Sequence, residues 1–238
     1  MSAVFKREFK SYFTTPLGYF VFAIIFFFGG WSFHDYNLVG GYADLSYVFS
    51  MLFTCSALAV IPILTMRLMA DDRRQRTDQA LLTSPVRLTG IVMGKYLAAL
   101  LVYALSTAIT LVYALVISFK VSPDWSRVLG NYLGLVLLGG TMIAVGLLIS
   151  ALTESQLIAA MGTFAFSFLL MQLDSIAQNE FVSKIPYLPI ALVYMSIQGR
   201  YTDFTLGLIA YSNVIFFVTI QGLFLFLAVR VLDRRRWG

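Results

Sequence analysis

Six long apolar segments limit what this chain can fold into more than any other feature of its sequence. Each has roughly 17 residues or more, enough for an α-helix to cross the hydrocarbon core of a bilayer. They cover approximately residues 17–33, 46–68, 92–118, 129–152, 157–176 and 206–229. Because 59% of the 238 residues are hydrophobic and only 12% are charged, no soluble domain fits between these segments. We therefore expect an all-α integral membrane protein whose single transmembrane domain spans residues 1–238.

The basic residues lie mostly in alternate connections between the apolar segments. With the N-terminus in the cytoplasm, only Lys120, Arg127, Lys184 and Arg200 are external. Cytoplasmic positions hold Lys6, Arg7, Lys10, Arg67, Arg73, Arg74, Arg76, Arg87, Lys95, Arg230, Arg234, Arg235 and Arg236. This bias follows the positive-inside rule and explains the net charge of +5 without nucleic acid as a partner. An even number of spans then places both termini in the cytoplasm.

The first 15 residues have the pattern of a helix that lies in the membrane interface. At 100° per residue, one side of this helix carries Phe5, Phe9, Tyr12 and Phe13. The other side carries Lys6, Arg7, Lys10 and Ser11. Such a split favours an interfacial helix with its basic residues toward lipid headgroups. The alternative is an ordinary basic flank of the first span. A long first apolar run with an amphipathic segment before it indicates no cleavable signal peptide.

The connection between the second and third spans, residues 69–90, is the most densely charged part of the chain. Residues 70–82 contain no Gly or Pro, and Asp71 and Asp72 favour a helix N-terminus there. Thr77, Leu81 and Ser84 fall on one side, and Ser84-Pro85 ends the helix. Leu81 and Leu82 form an apolar tip next to Arg73, Arg74 and Arg76. This pattern predicts a cytoplasmic docking helix, and the alternative is a solvated loop that only sets topology.

The sequence lacks the motifs that would indicate catalysis in this chain. It contains no Walker A loop, HExxH, CxxC or GxSxG motif, and its only histidine, His34, lies at the outer end of the first span. We place no acidic residue at mid-membrane depth, where ion-coupled carriers keep ionisable groups. We therefore expect a chain without catalytic residues, cofactor or metal, whose energy comes from another subunit. An intramembrane enzyme is the disfavoured alternative.

Two further features concern packing and the outer face. Gly139, Gly140, Ala144 and Gly146 in the fourth span permit close contact between helices. The external segment 177–205 has an apolar middle that is too short to span and is interrupted by prolines. We expect it to form a re-entrant or interfacial element over the outer face.

The segment DRRQRTDQALLTSPVRLTGIVMGKYLAA resembles the signature of ABC-2-type exporter permeases. The matching positions are Asp72, Thr77, Leu81, Leu82, Ser84, Pro85, Gly94 and Lys95, of which the last two open the third span. Asp72 replaces the usual Glu, and Arg76 replaces the usual Gly. The opening FKREFKSYFTTPLGYF is similar to the gliding-motility and copper-processing branch of that family.

The resemblance implies an interfacial helix followed by six transmembrane helices, as in type V exporters of the bacterial cytoplasmic (inner) membrane. It implies that residues 69–90 hold a coupling helix that inserts into a separate cytoplasmic ATPase, where ATP and Mg²⁺ bind. The expected complex has two ATPase chains and a second permease chain, identical or paralogous. The gliding-type likeness keeps an alternative open, in which the complex performs mechanical work on envelope proteins without transport.

The topology can be tested with single cysteines introduced after Cys55 is replaced by Ala. We expect Gln79→Cys, in the connection between the second and third spans, to react with a membrane-impermeant maleimide only after spheroplasts are permeabilised. Ser122→Cys, between the third and fourth spans, should react in intact spheroplasts. Labelling of Gln79→Cys in intact spheroplasts would overturn the topology.

Overall fold

A computed structural model describes residues 2–74, 87–178, 192 and 196–237. Of residues 235–237 it describes the backbone alone. Every regular element in these ranges is a helix. The helices are α1 (Ser2–Thr14), α2 (Pro16–Ser32), α3 (Ser46–Cys55), α4 (Ile61–Thr65), α5 (Ala70–Arg74), α6 (Leu88–Thr107), α7 (Ile109–Ser118), α8 (Trp125–Leu152), α9 (Gln156–Met171), α10 (Leu173–Ala177), α11 (Ile197–Thr205) and α12 (Tyr211–Trp237). Two π-helical turns, Phe33–Val39 and Ser56–Val60, continue α2 and join α3 to α4.

Five continuous helical stretches are long and apolar enough to cross a membrane. They are Pro16–Val39, Ser46–Arg74, Leu88–Ser118, Trp125–Leu152 and Tyr211–Arg234. These stretches confirm the prediction of an all-α membrane protein. They correspond to the first four and the last of the predicted spans.

The predicted fifth span, residues 157–176, is divided in the structure. Its main part, α9, has 16 residues and ends at Met171, and Gln172 separates it from the short α10. At ~1.5 Å per residue, α9 is about 24 Å long, whereas the hydrocarbon core is about 30 Å thick. The count of six spans therefore stays a prediction.

The fourth span, α8, is the centre of the bundle. The most apolar 18-residue stretch of α8 is 72% buried, compared with 11% for the same length of the last span, α12. Three of its glycines lie where a side chain would collide with a neighbour. A Cβ at Gly139 would lie 2.0 Å from the Tyr103 ring, one at Gly146 2.4 Å from Thr65 Oγ1, and one at Gly134 2.8 Å from Phe204. The absence of a side chain at these positions lets three different elements approach the same helix.

Uncharged polar side chains connect the spans inside the bundle. Tyr96 on the third span donates to Gln221 Oε1 on the last span at 2.9 Å. The Gln221 amide in turn donates to the Leu137 carbonyl on the fourth span at 2.9 Å. Since the hydrocarbon core offers no water to these groups, such links hold three spans in one register.

The described part of the segment 177–205 is held by polar side chains. Ser196 caps α11 by accepting from Gly199 N at 3.1 Å, and its hydroxyl donates to Asp174 at 2.6 Å. Asn213 on the last span donates to Asp203 Oδ2 on α11 at 2.7 Å. Residues 179–191 and 193–195 lie outside the described residues, so the predicted re-entrant path stays untested.

Replacement of Gly139 by Ala should destabilise the bundle, because the added methyl group meets the Tyr103 ring. Overpacking of this kind costs about 1–3 kcal/mol. Gly222→Ala is the matched control, because a Cβ there meets nothing within 4 Å. The free energy of unfolding in mixed micelles, measured by SDS titration, should fall for the first variant and stay equal or rise for the second. Equal stability of the two variants would contradict the packing of α8.

Candidate functional site

The candidate site lies where α1, the end of the second span and the start of the third span meet. The second span leaves its regular helix at Thr65 and re-forms as α5 at Ala70. Ser150 on the fourth span stabilises the turn between them, since its hydroxyl oxygen accepts from Met69 N at 3.1 Å and Ala70 N at 3.0 Å. The first residues of the charged connection are therefore held against the bundle.

Two polar contacts attach α5 to the short connection between the fourth and fifth predicted spans. Arg73 forms an ion pair with Glu154 at 2.5 Å, and Gln156 Nε2 donates to Asp71 Oδ1 at 2.7 Å. Arg74 is exposed. These contacts place α5 beside the N-terminus of α9.

A buried ammonium group is at the centre of the site. Lys95 on the third span has a side chain that is only 2% exposed. Its Nζ lies 2.7 Å from Asp72 Oδ2 on α5 and 3.1 Å from Glu8 Oε1 on α1. Arg7 donates to the same Glu8 oxygen at 2.6 Å. This hydrogen bond raises the pKa of the Arg7 guanidinium, so Arg7 keeps its positive charge. We call these four residues the Lys95 cluster.

Close backbone packing brings α1 to Lys95. A Cβ at Gly94 would lie 3.1 Å from Val4 Cβ and 3.2 Å from Phe5 N, so a larger residue at this position would push α1 away. Tyr12, at the other end of α1, donates to the Leu64 carbonyl of the second span at 3.1 Å. Its burial raises the pKa of the phenol, which therefore remains a donor. Both residues thus hold α1 against the third span. Gly94 leaves space for the α1 backbone, and Lys95 pairs with Glu8 on α1.

The predicted basic and aromatic sides of α1 differ in burial. Lys6, Arg7, Lys10 and Ser11 are exposed, whereas Phe5, Phe9 and Phe13 are partly buried and pack in series along the helix. The most buried residues are Val4 and Tyr12. The role of this helix at a membrane interface stays a prediction.

Sequence reasoning missed Glu8. It lies four residues after Val4 and four before Tyr12, so all three share one side of α1. An acidic residue on the inward side of an otherwise basic helix is the signal that could have identified it. Its partner could not be named, because Lys95 is far from it in sequence.

The other predicted site residues divide into two groups. Asp72, Arg73 and Arg74 lie on α5, where Asp72 contacts Lys95 and Arg73 contacts Glu154. Arg76, Thr77, Leu81, Leu82, Ser84 and Pro85 lie outside the described residues. The docking role of both groups therefore stays a prediction.

A cavity of about 310 Å³ separates α1 from the end of the second span. Its lining includes Arg7, Arg67, Asp71 and Lys95, so both signs of charge face it. In the described ranges, no group of three or more His, Cys, Asp or Glu side chains could hold a metal ion. The side chains of the site contact one another across three helices, so the site holds α1, α5 and the third span together.

Comparison with known proteins gives a matching family model and two curated relatives. The model of the family described as "ABC-2 family transporter protein" matches residues 6–174, which include Arg7, Glu8, Asp72 and Lys95. "Probable multidrug ABC transporter permease YbhR" from Escherichia coli K12 is 29% identical over 148 residues. The protein of the same name from Escherichia coli O157:H7 gives the same values. The match covers 61% of this chain but only 38% of the length of these curated relatives.

Removal of the Lys95 charge should destabilise the protein far more than removal of the charge on Glu154. Lys95→Met leaves two carboxylates close together and largely buried, and the loss of one partner from a buried pair costs about 3–5 kcal/mol. Glu154→Gln breaks an ion pair whose acidic partner is 69% exposed, which costs less than about 1 kcal/mol. Unfolding free energies in mixed micelles measure both changes. Similar losses for the two variants would contradict the burial of Lys95.

Proposed function

The chain belongs to the ABC-2 family of transporter proteins as a membrane-spanning permease, and we propose that it is the export subunit of an ATP-driven complex. The observation that carries this proposal is the family match over residues 6–174, more than two thirds of the chain. The matched region includes α1 from Lys6 onward, both ends of the charged connection and four of the five long apolar stretches. It therefore covers every part that the proposed mechanism needs.

In this proposal, a separate cytoplasmic ATPase supplies the energy. The sequence has no Walker A loop in which ATP and Mg²⁺ could bind, so the partner chain binds them. Two ATPase chains would work on two permease chains, the second of which is identical or paralogous. We place the complex in the bacterial cytoplasmic membrane with both termini of this chain in the cytoplasm, because the positive charges favour that orientation.

The connection 69–90 is the proposed ATPase-docking element. Leu81 and Leu82 would supply buried contact, because removing apolar side chains from water favours association. Arg73, Arg74 and Arg76 would steer the approach, since charges at the rim of an interface mainly affect the association rate. Displacement of this element on ATP binding would then reach the membrane helices as a rigid-body movement.

The two candidate roles, export and mechanical work on envelope proteins, differ in whether a substrate is transported. The printed name of the matched relatives, a multidrug permease, favours transport of an apolar or amphiphilic substrate. The mechanical alternative depends on the likeness of the opening segment to the gliding-type branch. Substrate-dependent accumulation in inverted vesicles containing the complex supports transport, whereas ATP hydrolysis without any accumulation of apolar dyes or lipids supports the alternative.

Two acidic substitutions at the predicted docking tip test the coupling. Leu81→Asp together with Leu82→Asp should leave the permease inserted but abolish substrate-stimulated ATP hydrolysis in the reconstituted complex, because charged tips cannot be buried in an apolar cleft. The measurement is the ATPase rate with and without substrate, with membrane insertion checked by protease mapping.

The matched control changes two exposed apolar residues at the outer ends of the predicted spans. Val121→Asp together with Leu206→Asp introduces the same charges at positions that no cytoplasmic ATPase reaches. It should keep normal stimulation. Unchanged stimulation in the Leu81/Leu82 variant would refute the docking role.

A further inference from the structure

We propose that Lys95 is a positioning residue that transmits displacement of α5, at the base of the docking element, to the interfacial helix α1. This inference rests on the proposed function, because it concerns how movement imposed by an ATPase continues into the membrane domain. It assigns a specific path through Asp72, Lys95 and Glu8.

The first argument is geometric. Asp72, Lys95 and Glu8 belong to three helices that are separated along the chain, and one ammonium group contacts both carboxylates within 3.1 Å. Gly94 holds α1 against the third span at the same level, with Val4 Cβ 3.1 Å from the position of a Cβ. A movement of α5 therefore acts on Lys95 directly, and Lys95 acts directly on α1.

The second argument concerns charge. Two carboxylates, one ammonium group and one guanidinium group balance one another in the Lys95 cluster, and three of the four side chains are at most 20% exposed. If α5 moved alone, it would remove one negative charge and leave the buried Lys95 ammonium group with a single carboxylate partner. This costs more than moving the cluster as a unit. The three helices should therefore move together.

The third argument is that an apolar contact would serve packing equally well. Buried ion pairs are often no more stabilising than apolar residues of similar volume. The ion pairs of Lys95 do, however, fix how the three helices are aligned, because the carboxylates of Glu8 and Asp72 must both reach the same Nζ. This specificity is what a mechanical connection between three helices needs.

Glu8→Met is the sharpest test, because it cuts the connection to α1 and leaves the buried Lys95–Asp72 pair intact. Arg7, with a side chain 52% exposed, can then turn to solvent. Ala3→Met, at an exposed position on the same helix, is the matched control. Spin labels at Ser11→Cys on α1 and Ser122→Cys on the outer side, with Cys55→Ala, report the movement of α1 when the ATPase in the reconstituted complex is trapped with a nucleotide analogue.

We expect the complex without Glu8→Met and the Ala3→Met control to show a nucleotide-dependent change in the Ser11–Ser122 distance. Glu8→Met should bind the ATPase normally, lose most of that distance change and reduce substrate-stimulated hydrolysis about 3- to 30-fold, the range that coupling residues produce. If Glu8→Met does not fold, the neutralised variant with Glu8→Gln, Asp72→Asn and Lys95→Met replaces it, because no unpaired charge from these three residues remains.

The outcomes separate this inference from the proposed function. If the unmodified complex binds no ATPase or shows no nucleotide response, the proposed function fails. If it responds and Glu8→Met responds equally, the path through Lys95 is overturned while the function stands. If Glu8→Met abolishes ATPase binding itself, the cluster acts on docking instead of transmission, which also overturns this inference.

Discussion

Close packing against the glycines of the fourth span is the constraint on which the rest of the structure depends. In a bilayer, helices gain little from the hydrophobic effect when they associate, so contact between their surfaces must hold them. Tyr103, Thr65 and Phe204 each fit over a glycine of α8. Through these contacts the third span, the second span and the outer helix α11 take their positions from one element.

The polar contacts differ between the interior of the bundle and the end where α1 packs. Inside the bundle, amide and hydroxyl groups such as those of Gln221 and Tyr96 join the spans without charge. At the end where α1 packs, Lys95 joins the third span to α1 and α5 with charge. Uncharged links suit the hydrocarbon core, where ionised groups are costly. A buried ionised group is tolerated where opposite charges pair with it, and Lys95 lies between two carboxylates.

Sequence reasoning predicted the class of the fold because spans are long apolar runs, and the charges flanking them predict orientation. It also indicated the close contacts of Gly139 and Gly146, since small residues mark helix interfaces in membranes. It did not predict that the fifth apolar run is interrupted at Gln172, because hydropathy reports composition and not helix continuity. Glu8 and Lys95 were beyond reach as partners, because no local pattern relates residues on two separate helices.

The π-helical turn at Ser56–Val60 affects the direction of the residues that follow it in the second span. Such a turn contains one residue more than an α-helical path would, which rotates everything after it by about 100° around the helix axis. Pro62 follows immediately, within the next α-helical turn. The direction in which the chain continues toward Asp72 is thus fixed in part by the hydrogen-bond register of a short stretch within the second span.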